Sequence, residues 1–142
     1  MPRQGQFVQR KALQGCSILI VEDEPLLVMD IESEFTDSGA ELTIASKLHH
    51  ATILAEHDGI SAAILGHVIG EKTCSRLYDR LNERGIPFII YTGHIVGEED
   101  RKGGLLISTP AMPGVLVATV EGLLRPLNHT EYQHWCEPSP AV

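Results

Sequence analysis

The sequence predicts an α/β domain in which a doubly wound, five-stranded parallel sheet carries helices on both faces. Two observations predict it. Short apolar, β-branched runs alternate strictly with segments whose apolar residues recur at helical spacing, and they do so five times in one chain. The first and fourth runs, Ser17–Val21 and Phe88–Tyr91, are also apolar rather than alternating with polar residues, the signature of strands buried on both faces. The length of 142 residues suits one domain, able to bury roughly two-thirds of its unfolded surface.

Residues 1–15 are polar and glycine-punctuated and are expected to form a mobile tail ahead of a domain over 16–125. Ser17–Ile18–Leu19–Ile20–Val21 is the first strand, stopping at Glu22–Asp23. Pro25 suits a first helical turn, Leu27, Ile31 and Phe35 recur at helical spacing, and Gly39 closes that helix. Glu41 to Ala45 is the second strand, and Leu48, Ala51 and Ala55 mark a helix ending at Gly59. Ile60 to Leu65 is the third strand, followed by a helix on Cys74, Leu77 and Leu81 that Gly85 ends. Phe88 to Tyr91 is the fourth strand. His94 to Gly104 is weakly patterned and predicts a shortened fourth helix. Leu105 to Ile107 is the fifth strand, and Pro113 opens a last helix on Leu116, Val120 and Leu124. Residues 126–142, with Tyr132 and Trp135, form a second, proline-rich tail.

Composition narrows the partners. The net charge of −8, from 19 acids against 11 bases, argues against nucleic acid and anionic membrane, which attract basic surfaces. No apolar run reaches the roughly 20 residues of a membrane span. The N-terminus lacks the apolar stretch of a secretory signal. Three widely spaced cysteines, Cys16, Cys74 and Cys136, fit a reduced, cytoplasmic setting. Cys74 falls on an apolar helical stripe and is expected in the core.

Five βα units suit the flavodoxin-like strand order 2-1-3-4-5, in which ligands bind beyond the carboxyl ends of the strands. Those ends are Glu22–Asp23, Gly66–His67, Thr92–Gly93 and Thr109–Pro110. Taken together, the segments Ile18-Leu-Ile-Val-Glu-Asp-Glu-Pro25, Ala62-Ala-Ile-Leu65, Phe88-Ile-Ile-Tyr-Thr-Gly93 and Ser108-Thr-Pro110 resemble the CheY-like response-regulator receiver family of two-component signalling. The resemblance covers roughly Cys16 to Leu124 and implies a regulatory module.

Carried over position by position, the resemblance assigns Glu22 and Asp23 to the acids that hold Mg²⁺, with the carbonyl of Val68 as a third oxygen. It assigns Thr92 to the switch hydroxyl and Pro110 to a proline preceded by a cis bond. At three positions this chain departs from the family. Gly66 stands where the phosphoacceptor aspartate is expected, Thr109 where the lysine is expected, and Leu106 where an aromatic residue reports the switch. Phosphotransfer needs a carboxylate nucleophile, a divalent ion and a cation for the developing charge. The expectation is therefore a pseudo-receiver with no catalytic residue. Its Mg²⁺ site is weak or absent, and it acts by contact with protein partners of a two-component pathway, a homodimer included.

Two other functions compete. A conventional phosphorylated receiver would need another acceptor, and Asp58, Asp79 and Asp100 lie in a loop, a helix and the segment after the fourth strand. A small flavodoxin-like ligand-binding domain or enzyme would need a phosphate-binding loop after the first strand, where Glu22–Asp23 would repel it. No G-x-G-x-x-G or P-loop is present. His67 and His94 near strand ends offer a Zn²⁺ or Ni²⁺ pair, against which polar loop residues are the favoured reading. His49–His50 reads as a solvated helix face.

Overall fold

The structure is a computed structural model, and residues 11–125 are described. Its main sheet has strands β1 (Ser17–Val21), β2 (Glu41–Ala45), β3 (Ala62–Leu65), β6 (Phe88–Thr92) and β7 (Leu105–Ser108). All four pairings are parallel, in the order β2-β1-β3-β6-β7. That is the order 2-1-3-4-5 expected from the sequence, β6 and β7 being its fourth and fifth strands. The helices are α1 (Pro25–Phe35), α2 (Leu48–Leu54), α3 (Ser75–Glu83) and α4 (Val115–Leu124).

The pleat divides the core into two layers, because successive strand side chains point to opposite faces. Ile18, Ile20, Ala62, Ile64, Ile89 and Tyr91 pack with Ile31 and Phe35 of α1 and with Leu116 and Val120 of α4. Leu19, Val21, Ala63, Leu65, Phe88 and Ile90 pack on the other face with Ala51 of α2 and with Leu77, Tyr78 and Leu81 of α3. Each large apolar side chain removed from water in these layers contributes about 1.5–3 kcal/mol. Ile31 and Phe35, four apart, are the buried residues of α1, as its spacing predicts.

Three features bear on the sequence reading, two as differences and one, the fourth helix, as expected. The first concerns residues 11–15, which are not a free tail. Leu13 is buried, its N–H donates to the Ser38 carbonyl (2.8 Å), and Gly39, at φ +89°, lies so close that a Cβ there would stand 2.9 Å from Lys11 Cβ. A lone leucine in a polar stretch carries no periodicity, yet it closes the bottom of the layer that holds Phe35. Residues 1–10 and the tail expected over 126–142 lie outside the described residues.

The second concerns the shortened fourth helix, which is a single 3-10 turn, Glu99–Arg101. Four of the twelve residues from Gly93 to Gly104 are glycine, and each costs about 1 kcal/mol in a helix interior. Gly104 is needed where it stands, since a Cβ would run into the Phe88 ring. The third feature is a short antiparallel hairpin, β4 (Val68–Ile69) with β5 (Lys72–Thr73), inserted between β3 and α3. Its two-residue turn begins at Gly70, at φ +66°, the conformation such hairpin turns demand. In Val68-Ile-Gly-Glu-Lys-Thr73 its local trace is Gly70 after two β-branched residues, too short a run to carry a period.

Candidate functional site

Because the strands are parallel, their carboxyl ends share one edge of the sheet, and the residues singled out from the sequence meet there. Glu22 follows β1, and Gly66 follows β3 with its N–H donating to the Val21 carbonyl (3.0 Å). On β6, Thr92 is buried and its hydroxyl accepts the His94 N–H (3.1 Å). Thr109 follows β7, its N–H reaching the Thr92 carbonyl (3.3 Å), and the Thr109–Pro110 peptide bond is cis. Leu106, one strand position on from Leu105, is half-buried against the α2/α3 layer.

The centre of this edge is occupied by Glu22. Its side chain turns back so that Oε2 accepts the N–H groups of Asp23 (3.1 Å) and Glu24 (3.0 Å). Oε1 then stands 2.9 Å from the point a Cβ on Gly66 would take, with Ile69 Cδ1 3.4 Å from the same point. The volume left free by the missing side chain at Gly66 is filled by a neighbouring carboxylate and an isoleucine methyl. Glu22 is only 7% exposed. Burial pushes its carboxyl above the ordinary range, the Asp23 charge adds to this, and the backbone N–H donors oppose it.

Asp23 is also engaged. Its Oδ2 accepts the Gly70 N–H (2.8 Å) and so ties the tip of the β4–β5 hairpin to the end of β1. The hairpin's other end is held by Tyr78 of α3, whose hydroxyl donates to the Gly66 carbonyl (2.9 Å). The Tyr78 ring lies between His67 and Phe88, with centroids 6.2 and 5.0 Å away, and burial raises its hydroxyl pKa. Cys74 precedes α3, fully buried as expected. Burial and the nearby Glu22 and Asp23 charges push its thiol up to about 12, which leaves it an inert core residue. Sequence reasoning missed Tyr78 as a site residue. The signal was a hydroxyl on the Cys74, Leu77, Leu81 stripe.

The Mg²⁺ implied by receivers is poorly matched by this donor set. A hard cation needs several free oxygens, but Glu22 Oε2 and Asp23 Oδ2 already accept backbone donors and Gly66 adds none. Among the described residues no three His, Cys, Asp or Glu side chains are grouped to hold a metal. Val68, the expected carbonyl donor, is part of the hairpin ladder opposite Thr73. Two of the alternative acceptors sit in surface ion pairs: Asp58 with Arg84 (2.8 Å) and Asp79 with Lys102 (3.2 Å). Asp100 lies in the exposed 3-10 turn.

No protein-family model and no curated protein matches this sequence. Solved structures do. A CheY-like response-regulator receiver protein from Methanospirillum hungatei is 20% identical with a TM-score of 0.69, over 77% of this chain and 93% of that one. The BeF3-activated form of SdrG from Pseudomonas melonis is 29% identical with a TM-score of 0.62, over 79% and 98%. The response regulator PhyR from Brucella abortus is 23% identical with a TM-score of 0.65, over 80% of this chain and only 49% of that one. With its strand order and the layout of its strand ends, the chain has the fold of the CheY-like response-regulator receiver domains.

Proposed function

We propose that the chain is a pseudo-receiver: a regulatory module of two-component signal transduction that works in the cytoplasm by binding a protein partner, without aspartyl phosphorylation. One observation carries this reading. Where a phosphoacceptor carboxylate would project from the end of β3, Gly66 has no side chain, and Glu22 Oε1 and Ile69 fill the space. Phosphoryl transfer has no nucleophile there. Thr109 in the lysine position supplies a hydroxyl, held 3.2 Å from where a Cβ on Gly93 would stand, and no positive charge. Leu106 in the reporter position has neither a ring nor a hydroxyl to change partners.

The surface supports a binding role. Leu26 and Met29, three apart on α1, are 68% and 61% exposed, so they form one apolar face. Incubating the full chain with acetyl phosphate and Mg²⁺ tests the reading by intact mass. The expected spectrum shows the unmodified chain alone. A stable adduct of about 80 Da, one phosphoryl group, would overturn it.

A further inference from the structure

On the face opposite α1 and α4, residues of α2, α3 and the β4–β5 hairpin line a groove of about 700 Å³. That volume falls within the roughly 300–1,000 Å³ of small-molecule sites. Its lining carries Lys72, Arg76 and Arg80 and no acidic side chain, in a chain whose net charge is −8. Arg80 is already held by Glu56 (2.6 Å) and Glu83 (2.9 Å). Lys72 and Arg76 form no ion pair among the described residues. Next to these two cations are the hydroxyls of Thr73 and Ser75, 3.2 Å apart, while Leu48, half-buried, supplies apolar surface in the same groove.

We propose that this groove binds a small phosphorylated ligand of nucleotide size, its phosphoryl oxygens on Lys72 and Arg76 and its body against Leu48. The chemistry fits each part. Arginine meets phosphate with a planar fork of donors and lysine meets it as a compact charge. Hydroxyls add neutral donors that need no charge compensation. A groove walled by the hairpin also places the ligand beside the segment that Asp23 anchors at Gly70 (2.8 Å), so occupancy can be felt at the strand-end site. The inference does not depend on whether the chain is phosphorylated.

Adenosine diphosphate with EDTA present, inorganic phosphate and a phosphoserine peptide are the probes, each titrated into the ¹⁵N-labelled full chain. The expected result is movement of the Thr52, Thr73, Ser75 and Arg76 amides with the diphosphate, at an affinity at least about tenfold above that for inorganic phosphate. Lys72→Ala with Arg76→Ala should weaken binding at least about tenfold, since charge-assisted hydrogen bonds are lost. Lys102→Ala, a cation outside the groove, should leave it unchanged. Both replaced side chains are exposed, and an unchanged far-ultraviolet circular dichroism spectrum verifies folding of the variant. Equal affinity for inorganic phosphate and the diphosphate overturns the proposal, because an adventitious anion would behave that way. So does tighter binding of the phosphoserine peptide, amide movements confined to α1 or α4, undiminished affinity in the double variant, or no binding of any probe.

Discussion

Glu22 shows how one side chain can satisfy two backbone donors and still be held at a disadvantage. Its Oε2 accepts from Asp23 and Glu24, while burial raises its pKa. The sign of the linkage follows. Between the ordinary glutamate value of 4.5 and the raised folded value, the native state binds more protons than the unfolded one, so stability falls as pH rises through that window. The contribution is complete below the unfolded value and lost above the folded one. Glu22→Gln keeps an oxygen for the two N–H groups and cannot ionise. Urea denaturation from pH 4 to 8 should show a shallower decline for Glu22→Gln than for the unaltered chain. Parallel curves would mean that Glu22 titrates in the fold as it does in the unfolded chain.

At the level of elements, the hairpin between β3 and α3 is clamped from two sides, by Asp23 at Gly70 and by Tyr78 at Gly66. Tyr78 is fully buried, so Tyr78→Phe leaves the Gly66 carbonyl without that donor, at a cost of about 1–3 kcal/mol. Chemical denaturation measures the loss, and hydrogen exchange should speed up at the hairpin amides before those of β1. A change under about 0.5 kcal/mol would show that water replaces the hydroxyl. Elements of this kind mark the limit of what the sequence discloses. The three central strands were legible because Ile18–Val21, Ala62–Leu65 and Phe88–Tyr91 are apolar on both faces, a local property, and the edge strands β2 and β7 were legible from their place in the βα alternation. The hairpin was not, since two-residue strands have too few positions for a period, and the burial of Leu13 depends on Ser38 and Gly39, far along the chain. Gly66 could be placed at its strand end from the sequence, but not the carboxylate that fills its space, because that depends on a side-chain rotamer.

For the whole molecule, the distribution of exposed apolar side chains separates the faces. Leu26 and Met29 stand out on α1, Ile44 and Ile53 beside the β2 edge, and Ile95 on the loop after β6 at 99% exposure. Among the described residues no helix is long and apolar enough to cross a membrane. Replacing Leu26 and Met29 together by serine should change stability by less than about 0.5 kcal/mol per site, the usual effect of surface substitutions. The same pair of changes should abolish pull-down of a partner captured by the unaltered full chain. Retained capture would move the contact to another face, with the β2 edge next to be tested.

The 2.9 Å approach of Glu22 Oε1 to the Gly66 Cβ position also makes mutational order matter. Gly66→Asp alone must first push the longer carboxylate out of its hydrogen bonds and then confine two negative charges together. It should cost about 1–3 kcal/mol and be partly rescued by millimolar Mg²⁺, which should leave the unaltered chain's stability unmoved. Glu22→Asp withdraws the carboxylate by one methylene, so the same Gly66→Asp change made in that background should cost less. A double-mutant cycle reads the difference as a coupling energy. Position 22 therefore sets the order in which changes are tolerated: an acid at position 66 is accommodated more easily if the change begins at the other strand, and a screen confined to single substitutions would miss it.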